Sequence, residues 1–463
     1  MSGAVIMEDS PRLARNTKEM GGHRMVPLLI RYSIPTTIGT AAFTAYNVVD
    51  RIFIGRAVGA NAIAGISITF PLFMICIAIG MMIGIGSGTM VSIRLGEGRV
   101  REAERILGNA VALFTILSLL LLTLGELLLT PMLNAFGASP ETLPYATTYM
   151  RILLLFLPLD FLAMGMNGLL RAEGSPRISM TILLAGAMLN ILLDWIFIFP
   201  LGLGVAGAAL ATGLSKLFSA TWIILHFTVG KRRALTLRLN NLRLSVATVL
   251  SILHIGLSPF TMQFVQSAAV IFLNRSLLHY GGDTAVGAMG IIFAVQMFLL
   301  MPVMGLIHAS SPILGFNYGA RKFERVREAL VAALGYAFLV TLAGTALIQL
   351  FPSFIVGLFN RDNAELIGAT LVGMRIFTLS APLAAAQMMG AHYFQATGRP
   401  HLSISLHLLR QVGCYLVFLF ILPRFFGLTG VWAAMPSTDL IASLTTAVFI
   451  LFELRRMKVA CAP

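Results

Sequence analysis

Charged side chains are scarce in this sequence, since only 11% of its 463 residues are Asp, Glu, Lys or Arg. A soluble chain carries roughly 25% charged residues, so the scarcity excludes an ordinary soluble protein. The chain is instead 57% hydrophobic, with a mean hydropathy of +0.87. We therefore predict an all-α integral membrane protein with about a dozen spans of ~20 residues each.

Cysteine is also rare, and Cys76, Cys414 and Cys461 lie far apart. Their scatter excludes a disulfide framework and a cysteine metal site. The histidines lack metal-ligand spacing, and the sequence contains no HExxH motif, no GxSxG motif and no histidine pair at i, i+4. Since these motifs carry intramembrane hydrolysis, their absence argues against an enzyme. We predict no catalytic residue and no cofactor.

The apolar runs, and the Gly, Pro, Asn and Ser residues between them, predict twelve membrane-spanning helices. No apolar segment with a small-residue cleavage site follows the polar first 24 residues, so we interpret them as a tail rather than a signal peptide. The predicted spans are roughly 27–52, 63–90, 106–128, 142–166, 177–200, 203–229, 248–278, 284–312, 325–349, 365–392, 401–423 and 426–454.

Basic residues outnumber acidic ones, 33 to 19, which gives a net charge of +14. In a soluble protein this excess would suggest nucleic acid as a partner. Here the bases fill the N-terminal tail and the loops after the even-numbered spans, whereas the loops after spans 3, 5 and 7 contain none. By the positive-inside rule, both termini are cytoplasmic. The pattern predicts a multi-pass protein of the cell membrane with no nucleic-acid partner.

The second half of the chain repeats the first. Residues 96–107 match 319–330 at an offset of 223, and residues 171–176 match 395–400 at an offset of 224. Each half holds six spans, an even number, so we expect two lobes with one orientation, related by an axis along the membrane normal. The predicted domains are an N-terminal tail 1–26, an N-lobe 27–229, a linker 230–247, a C-lobe 248–454 and a C-terminal tail 455–463.

An acid lies in the apolar stretch 189–212, where Asn190 and Asp194 are at i and i+4 and share one helix face. An ionisable residue inside a span is costly and marks a functional site by default. Depth along the spans places Asp50 and Thr212 at a similar level. Two carboxylates, an amide and a hydroxyl form an oxygen set that suits a hard cation or protons.

Span 1 carries the predicted switch. Burial disfavours the charged form of a carboxylate, and Pro35 makes a bend possible by removing a backbone hydrogen bond. Tyr46, one turn before Asp50, can donate to it, and Asn47 is nearby. Alternatively, Asp50 caps the helix or pairs with the arginines that follow it. The positions offset by 223 from the four oxygen ligands are Leu273, Gly413, Val417 and Met435, so the second half lacks this site.

Other polar residues in the spans are candidates for a substrate cleft. Asp160 and Asp439 are acidic candidates, and Lys216 occupies the repeat position of Asp439, so the two can pair across the lobes. Snorkelling of Lys216 or a local contact is an equal alternative. Gln263 and Gln296 can line a cavity of the second lobe, or hold helices together by hydrogen bonds.

Six stretches resemble the MATE (multidrug and toxic compound extrusion) family, in its DinF-like and MepA-like prokaryotic branch. The resemblance covers nearly all the chain, and it implies twelve helices in two six-helix lobes around a V-shaped central cleft. It also implies that Asp50, Asn190, Asp194 and Thr212 bind the coupling cation and that Pro35 takes part in bending. The stretches are Tyr46–Asp50, Arg171–Gly174, Leu189–Asp194, Gly204–Thr212, Asn317–Ala320 and Arg410–Gln411.

The resulting hypothesis is an antiporter that exports organic, cationic or amphipathic compounds against Na⁺ or H⁺. If the coupling ion is Na⁺, Asp50 and Asp194 are its metal ligands, and we expect a monomer in the lipid bilayer. The alternative is a flippase for a lipid-linked or amphipathic precursor, which requires a strongly basic cavity for phosphate groups. The sequence leaves the coupling ion and the substrate open.

Overall fold

The computed structural model describes residues 19–230, 233–359 and 363–460. Residues 1–18 and 461–463 of the predicted tails, and residues 231–232 of the predicted linker, lie outside these described residues. The described part of the chain is helical and contains no β-strand. The prediction of an all-α protein is therefore confirmed.

The first half contains six long helices. Glycine and proline mark a turn between two of them, since Gly174 has φ 90° and Pro176 is the first residue of the next helix. Glycine tolerates this positive φ without strain, and proline suits the first helical position. The helices are α1 Met25–Ala57, α2 Ala60–Gly96, α3 Val100–Ala135, α4 Leu143–Ala172, α5 Pro176–Ile198 and α6 Gly204–Thr228.

The second half also contains six long helical segments, several of which are irregular. The run Val246–Gly319 turns at Gly282 (φ 61°) and so forms α7 (246–281) and α8 (283–319). Helix α9 is Phe323–Leu350, and α10 is a pair bent by 45°, Ala364–Thr378 and Ala381–Ala396. Helix α11 starts as Pro400–Leu408, becomes π-helical over Leu409–Leu416 and runs to residue 426. After Gly427 (φ 56°), α12 covers 428–460. Short helices also occur at Leu239–Leu242 and Pro352–Gly357.

These twelve long segments confirm the predicted span count, although most are longer than predicted. Among the described residues, eight helices are long and apolar enough to cross a membrane, or nine with the bent pair as one span. Two of the eight, Val246–Gly319 and Pro400–Lys458, each contain two predicted spans. Helix α1 is not among them, since Arg31 and several threonines interrupt its first half, and Asn47 and Asp50 its second half.

The chain forms two compact units. The first contains Ile34–Gly256, and the second contains Arg24–Ser33 together with the chain from Leu257 onwards. The boundaries thus fall inside α1 and α7, whereas the sequence placed the division at the linker 230–247. Within the first unit the start of α7 packs closely on α2, since a Cβ on Gly86 would clash with the Ile252 carbonyl oxygen.

The described part of the linker, 233–245, is bound to the first unit by its backbone. The Glu104 carboxylate accepts the N–H of Thr236 at 3.0 Å, and the Asn109 side-chain oxygen accepts the N–H of Ser245 at 2.8 Å. Both acceptors lie in the first turns of α3. Side chains that accept hydrogen bonds from loop N–H groups fix the path of a loop. This part of the linker is therefore an ordered part of the first unit.

Candidate cation site and cavity

Helices α1, α5 and α6 of the first unit supply the predicted oxygen ligands. Asp50, Asn190 and Asp194 are 6%, 0% and 0% exposed, and Thr212 is half-buried. Asn190 donates through Nδ2 to the Thr212 hydroxyl at 3.4 Å, which joins α5 to α6. The structure therefore places all four residues in one unit and brings Asn190 and Thr212 into contact.

The two acids interact through space. The Asp194 carboxylate lies within electrostatic range of Asp50, and Tyr149 of α4 interacts with both acids. Tyr149 is itself 9% exposed. No sequence pattern pointed to Tyr149, because an aromatic residue in an apolar span has no signature of its own.

Several oxygens of this site are unsatisfied. Among the described residues, Asp50 Oδ1, Asn190 Oδ1 and both carboxylate oxygens of Asp194 are buried without a hydrogen-bond partner. An unsatisfied buried acceptor costs roughly 1–3 kcal/mol, and more if it is charged. A proton or a bound cation would compensate the cost of these four oxygens. The donor set suits both, since it consists of two carboxylates, an amide and a hydroxyl.

An apolar cluster lies one helical turn from these ligands, towards the α5–α6 loop. Ile54 follows Asp50 by four residues, Ile198 follows Asp194 by four, and both belong to a buried cluster that includes Tyr149. Ile54 is fully buried, and Ile198 is 3% exposed. This apolar packing lies next to the ligands on that side.

The alternative roles of Asp50 are not observed. Helix α1 continues past Asp50 to Ala57, so this acid is not at a helix end. Arg51 influences its carboxylate electrostatically, but in the described part of the chain Asp50 forms no ion pair with Arg51 or Arg56. The isolation of the carboxylate agrees with a ligand role rather than with a structural pair.

The predicted contact of Tyr46 with Asp50 is wrong. Tyr46 instead interacts with Lys216 of α6 through its side chain. Asn47 donates to the Phe43 carbonyl at 2.7 Å. Pro35 is buried within the continuous helix α1, two residues after Ser33, where the two compact units divide.

Of the alternatives for Lys216, a local contact is observed and the pair with Asp439 is not. Lys216 Nζ lies 2.7 Å from Asp160 Oδ1, so this pair joins α6 to α4 within the first unit. Asp439 of α12 pairs instead with Arg410 of α11 at 2.8 Å, and it accepts the Ser380 hydroxyl at 2.6 Å. Each acid is matched inside its own unit, since an unpaired buried charge is far costlier than a local pair.

The second unit contains a cavity of about 320 Å³. Helices α7, α8, α10, α11 and α12 line it. Gln296 is part of the lining, as predicted from the sequence, whereas Gln263 is not among the lining residues. Further polar lining comes from Gln266, His407, Arg410 and Gln411. Sequence reasoning gave Arg410 no role in a cavity, although it belongs to one of the stretches that carry the family resemblance.

Among the described residues, no group of three or more His, Cys, Asp or Glu side chains is placed to hold a metal ion. The oxygen set of the first unit contains two carboxylates and two neutral ligands. Oxygen donors of these types suit a hard cation or a proton.

Twelve long helical segments, an internal repeat and buried acids inside apolar helices are typical of a multi-pass membrane transporter. The sequence profile of the MatE family matches residues 35–196 and again residues 259–421. The two matches begin 224 residues apart, the same offset as the internal repeat. The chain belongs to the MatE family.

Individual relatives agree over nearly the whole length. The multidrug export protein MepA of Staphylococcus aureus (strain NCTC 8325 / PS 47) is 29% identical over 439 residues, covering 92% of this chain and 93% of that protein. A MOP superfamily transporter from Pyrococcus furiosus, described as having a binding pocket of reverse polarity, is 27% identical with a TM-score of 0.90 over 96% of this chain and 99% of that one.

A second solved structure has the same similarity. It is an outward-facing multidrug resistance MATE transporter, 27% identical with a TM-score of 0.90, and the match covers 97% of this chain and 99% of that one. These similarities extend the family assignment from the sequence to the fold.

Proposed function

We propose that this protein is a cation-coupled antiporter that exports amphipathic organic compounds by alternating access. The set of buried, unpartnered oxygens formed by Asp50, Asn190 and Asp194 carries the proposal. A membrane protein retains such costly groups where they bind a transported ion. The names of the relatives, multidrug export protein and multidrug resistance transporter, agree with export.

The coupling ion acts by neutralising this site. With the ion or proton bound, the two carboxylates no longer repel each other, and the acceptor oxygens are satisfied. After release, the site is strained by buried charge, which favours a second arrangement of its helices. Pro35 gives α1 a position at which to bend. The ion thus shifts the population of two states by its difference in affinity for them.

The flippase alternative requires a strongly basic cavity. Among the described lining residues of the cavity in the second unit, Arg410 is the one Lys or Arg, and it is paired with Asp439. Recognition of a pyrophosphate group normally uses several such donors. The charge of this cavity therefore favours export of smaller amphipathic compounds.

Transport into proteoliposomes under separately imposed Na⁺ and pH gradients tests the proposal. We expect one gradient to drive uptake of an amphipathic probe, and Asp194→Asn to abolish this energised transport without loss of folded protein. Glu126→Gln is the matched control, since Glu126 forms an exposed pair with Arg151 in the same unit. Normal energised transport by Asp194→Asn, or no response to either gradient in the unaltered protein, contradicts the proposal.

A further inference from the structure

The cavity of the second unit has the properties of a ligand site. Its volume of about 320 Å³ lies within the range of roughly 300–1,000 Å³ that is usual for small-molecule pockets. Its walls are rich in methionine and phenylalanine, among them Met262, Met304, Met388, Phe293 and Phe377. Methionine is flexible and polarisable, so it adapts to apolar groups of different shapes. The walls suit one or two rings or a short alkyl chain.

The cavity is lined by a basic side chain and by no acidic one. Among the described residues that line it there is no Asp or Glu, and Arg410 is the one side chain with a full charge at neutral pH. The partner acid, Asp439, is 1% exposed and is not a lining residue. The pair is neutral as a whole, but its positive end faces the cavity and its negative end is covered by protein. A cationic compound has no acid to bind here.

Asp439 fixes the guanidinium of Arg410 but uses only part of its hydrogen-bond donors. Its Nε and Nη2 both donate to the same oxygen, Asp439 Oδ1, at 3.0 and 2.8 Å. Asp439 Oδ2 is occupied by the Ser380 hydroxyl. An arginine carries five N–H groups, so three remain without a partner among the described residues. A preorganised fork of this kind matches a carboxylate or phosphate group.

A backbone irregularity places these groups. Arg410 and Gln411 lie in the π-helical segment Leu409–Leu416 of α11, and Tyr415, five residues after Arg410, also lines the cavity. A π-helix has an i→i+5 hydrogen-bond pattern and occurs mostly at functional sites. Its wider turn presents residues five apart on one face. The irregularity therefore contributes three lining residues from two turns.

We propose that this cavity binds the anionic group of an amphipathic compound through Arg410, with its apolar part against the methionine and phenylalanine walls. The inference rests on the proposed export function, because it names the class of compound that the exporter carries. Gln296 and Gln266 provide further hydrogen bonds to neutral polar groups of the ligand. The substrate class that follows is amphipathic anions, with a carboxylate or a phosphate as the recognised group.

Equilibrium binding to the purified full-length protein in detergent, without any gradient, tests this site. The probe is the fluorescent 6-(dimethylamino)naphthalene-2-carboxylate, compared with its methyl ester and with a trimethylammonium counterpart of the same ring. We expect the carboxylate to bind at least ~10-fold more tightly than either analogue, since hydrogen bonds to a charged partner are the stronger ones. Dihexanoyl phosphatidate, added as a competitor, distinguishes a lipid source from a free carboxylate.

Variants of the pair separate binding from folding. Arg410→Gln alone leaves Asp439 unpaired, so the double variant Arg410→Gln/Asp439→Asn removes both charges together. We expect this double variant to lose the ~10-fold preference for the carboxylate while keeping its affinity for the ester. Arg424→Gln, which removes an exposed arginine of the same unit, is the control and keeps the preference. Equal binding of all three probes, or an unchanged preference in the double variant, overturns the proposal.

The same probes in proteoliposomes separate this inference from the proposed function. If a gradient drives transport of the ammonium probe and not of the carboxylate, export stands and the anionic class is wrong. If the carboxylate binds with the expected preference but no gradient moves any probe, the site stands and coupled export is wrong. Gradient-driven transport of the carboxylate that is lost in the double variant supports both.

Discussion

At the scale of single residues, the buried charges of this protein follow two different rules. Asp160 and Asp439 each have a basic partner within 2.8 Å. Asp50 and Asp194 have none among the described residues, although both are buried. Paired charges hold neighbouring helices together, whereas in the proposed function the two unpaired acids bind the coupling ion. The contrast in partners thus separates two kinds of acid within one chain.

The pair of Lys216 and Asp160 gives a prediction about stability. Replacing Lys216 by Met leaves the partly buried carboxylate of Asp160 unpaired, so we expect a loss of about 2–3 kcal/mol in the free energy of unfolding. The double variant Asp160→Asn/Lys216→Met should recover most of this loss, because both charges are then absent. Thermal unfolding in detergent measures each step. The single variants are Lys216→Met and Asp160→Asn. If the double variant loses as much stability as the two single variants together, the two residues do not interact and the pairing is contradicted.

At the scale of elements, α1 is the helix in which a bend would have the largest effect on the proposed transport cycle. It carries Pro35 in its interior, Asp50 near its end, and the boundary between Ser33 and Ile34 at which the compact units divide. Proline supplies no N–H to the carbonyl four residues before it, which weakens the helix at that turn. A change at the Asp50 end can therefore be relieved by bending at a defined place.

Replacing Pro35 by Ala should slow transport without weakening ion binding. Alanine restores the helical hydrogen bond and favours the unbent helix, and a preference of ~1.4 kcal/mol would slow a bending step about tenfold. Transport rates in proteoliposomes, together with ion affinity, check this. Pro131→Ala in α3 is the matched control, since Pro131 also lies inside a helix of the first half. A full transport rate in Pro35→Ala would exclude a hinge at this residue.

The attachment of the linker to the first unit depends on Glu173, which directly follows α4. Glu173 is fully buried, and its Oε2 accepts the N–H groups of Ala234 and Leu235 at 3.0 and 3.3 Å. Its Oε1 lies 2.6 Å from His226 Nε2 of α6. One carboxylate thus closes a loop and joins two helix ends, as charge-assisted hydrogen bonds are able to do.

Replacing Glu173 by Gln should therefore release the linker. We expect a loss of roughly 2 kcal/mol of stability, because charge-assisted bonds to two backbone N–H groups and to an imidazole are weakened or broken. Limited proteolysis should cut within 233–245 faster than in the unaltered protein. Glu102→Gln, at an exposed acid of α3, serves as the control. Unchanged proteolysis of the linker would mean that its attachment does not depend on this carboxylate.

The sequence was sufficient for the twelve spans, because hydropathy depends on local order along the chain. It also placed Asn190 and Asp194 on one helix face by their i, i+4 spacing, and their role as cation ligands stays a prediction. It was insufficient for the partners of Tyr46 and Lys216. Pairing across helices depends on how each helix is rotated and tilted, which hydropathy does not specify. The repeat position suggested Asp439 as the partner of Lys216, but similar folds in the two halves do not require contact between equivalent residues.

At the scale of the whole molecule, the two halves share a fold and differ in chemistry. The family profile matches both, at residues 35–196 and 259–421. The first half contains the acidic oxygen set, and the second contains a cavity with Arg410 as its charged lining residue. Duplication thus supplied two equivalent scaffolds on which ion and organic substrate can be bound by different units. An antiporter then requires that binding at one site weakens binding at the other.

This requirement gives the prediction that tests the molecule as a unit. Binding of the coupling ion, supplied as high Na⁺ or as a shift from pH 8 to pH 6, should raise the Kd of the naphthalene carboxylate at least ~5-fold, a typical coupling between sites. The effect should vanish in Asp50→Asn/Asp194→Asn, which still contains the cavity, and persist in Glu126→Gln. Fluorescence titration of the purified protein measures each Kd.

Coupling is reciprocal in free energy, so the probe must weaken ion binding by the same factor. A Kd that neither Na⁺ nor pH changes would mean that the two units bind their ligands independently, and exchange transport would then have no thermodynamic basis.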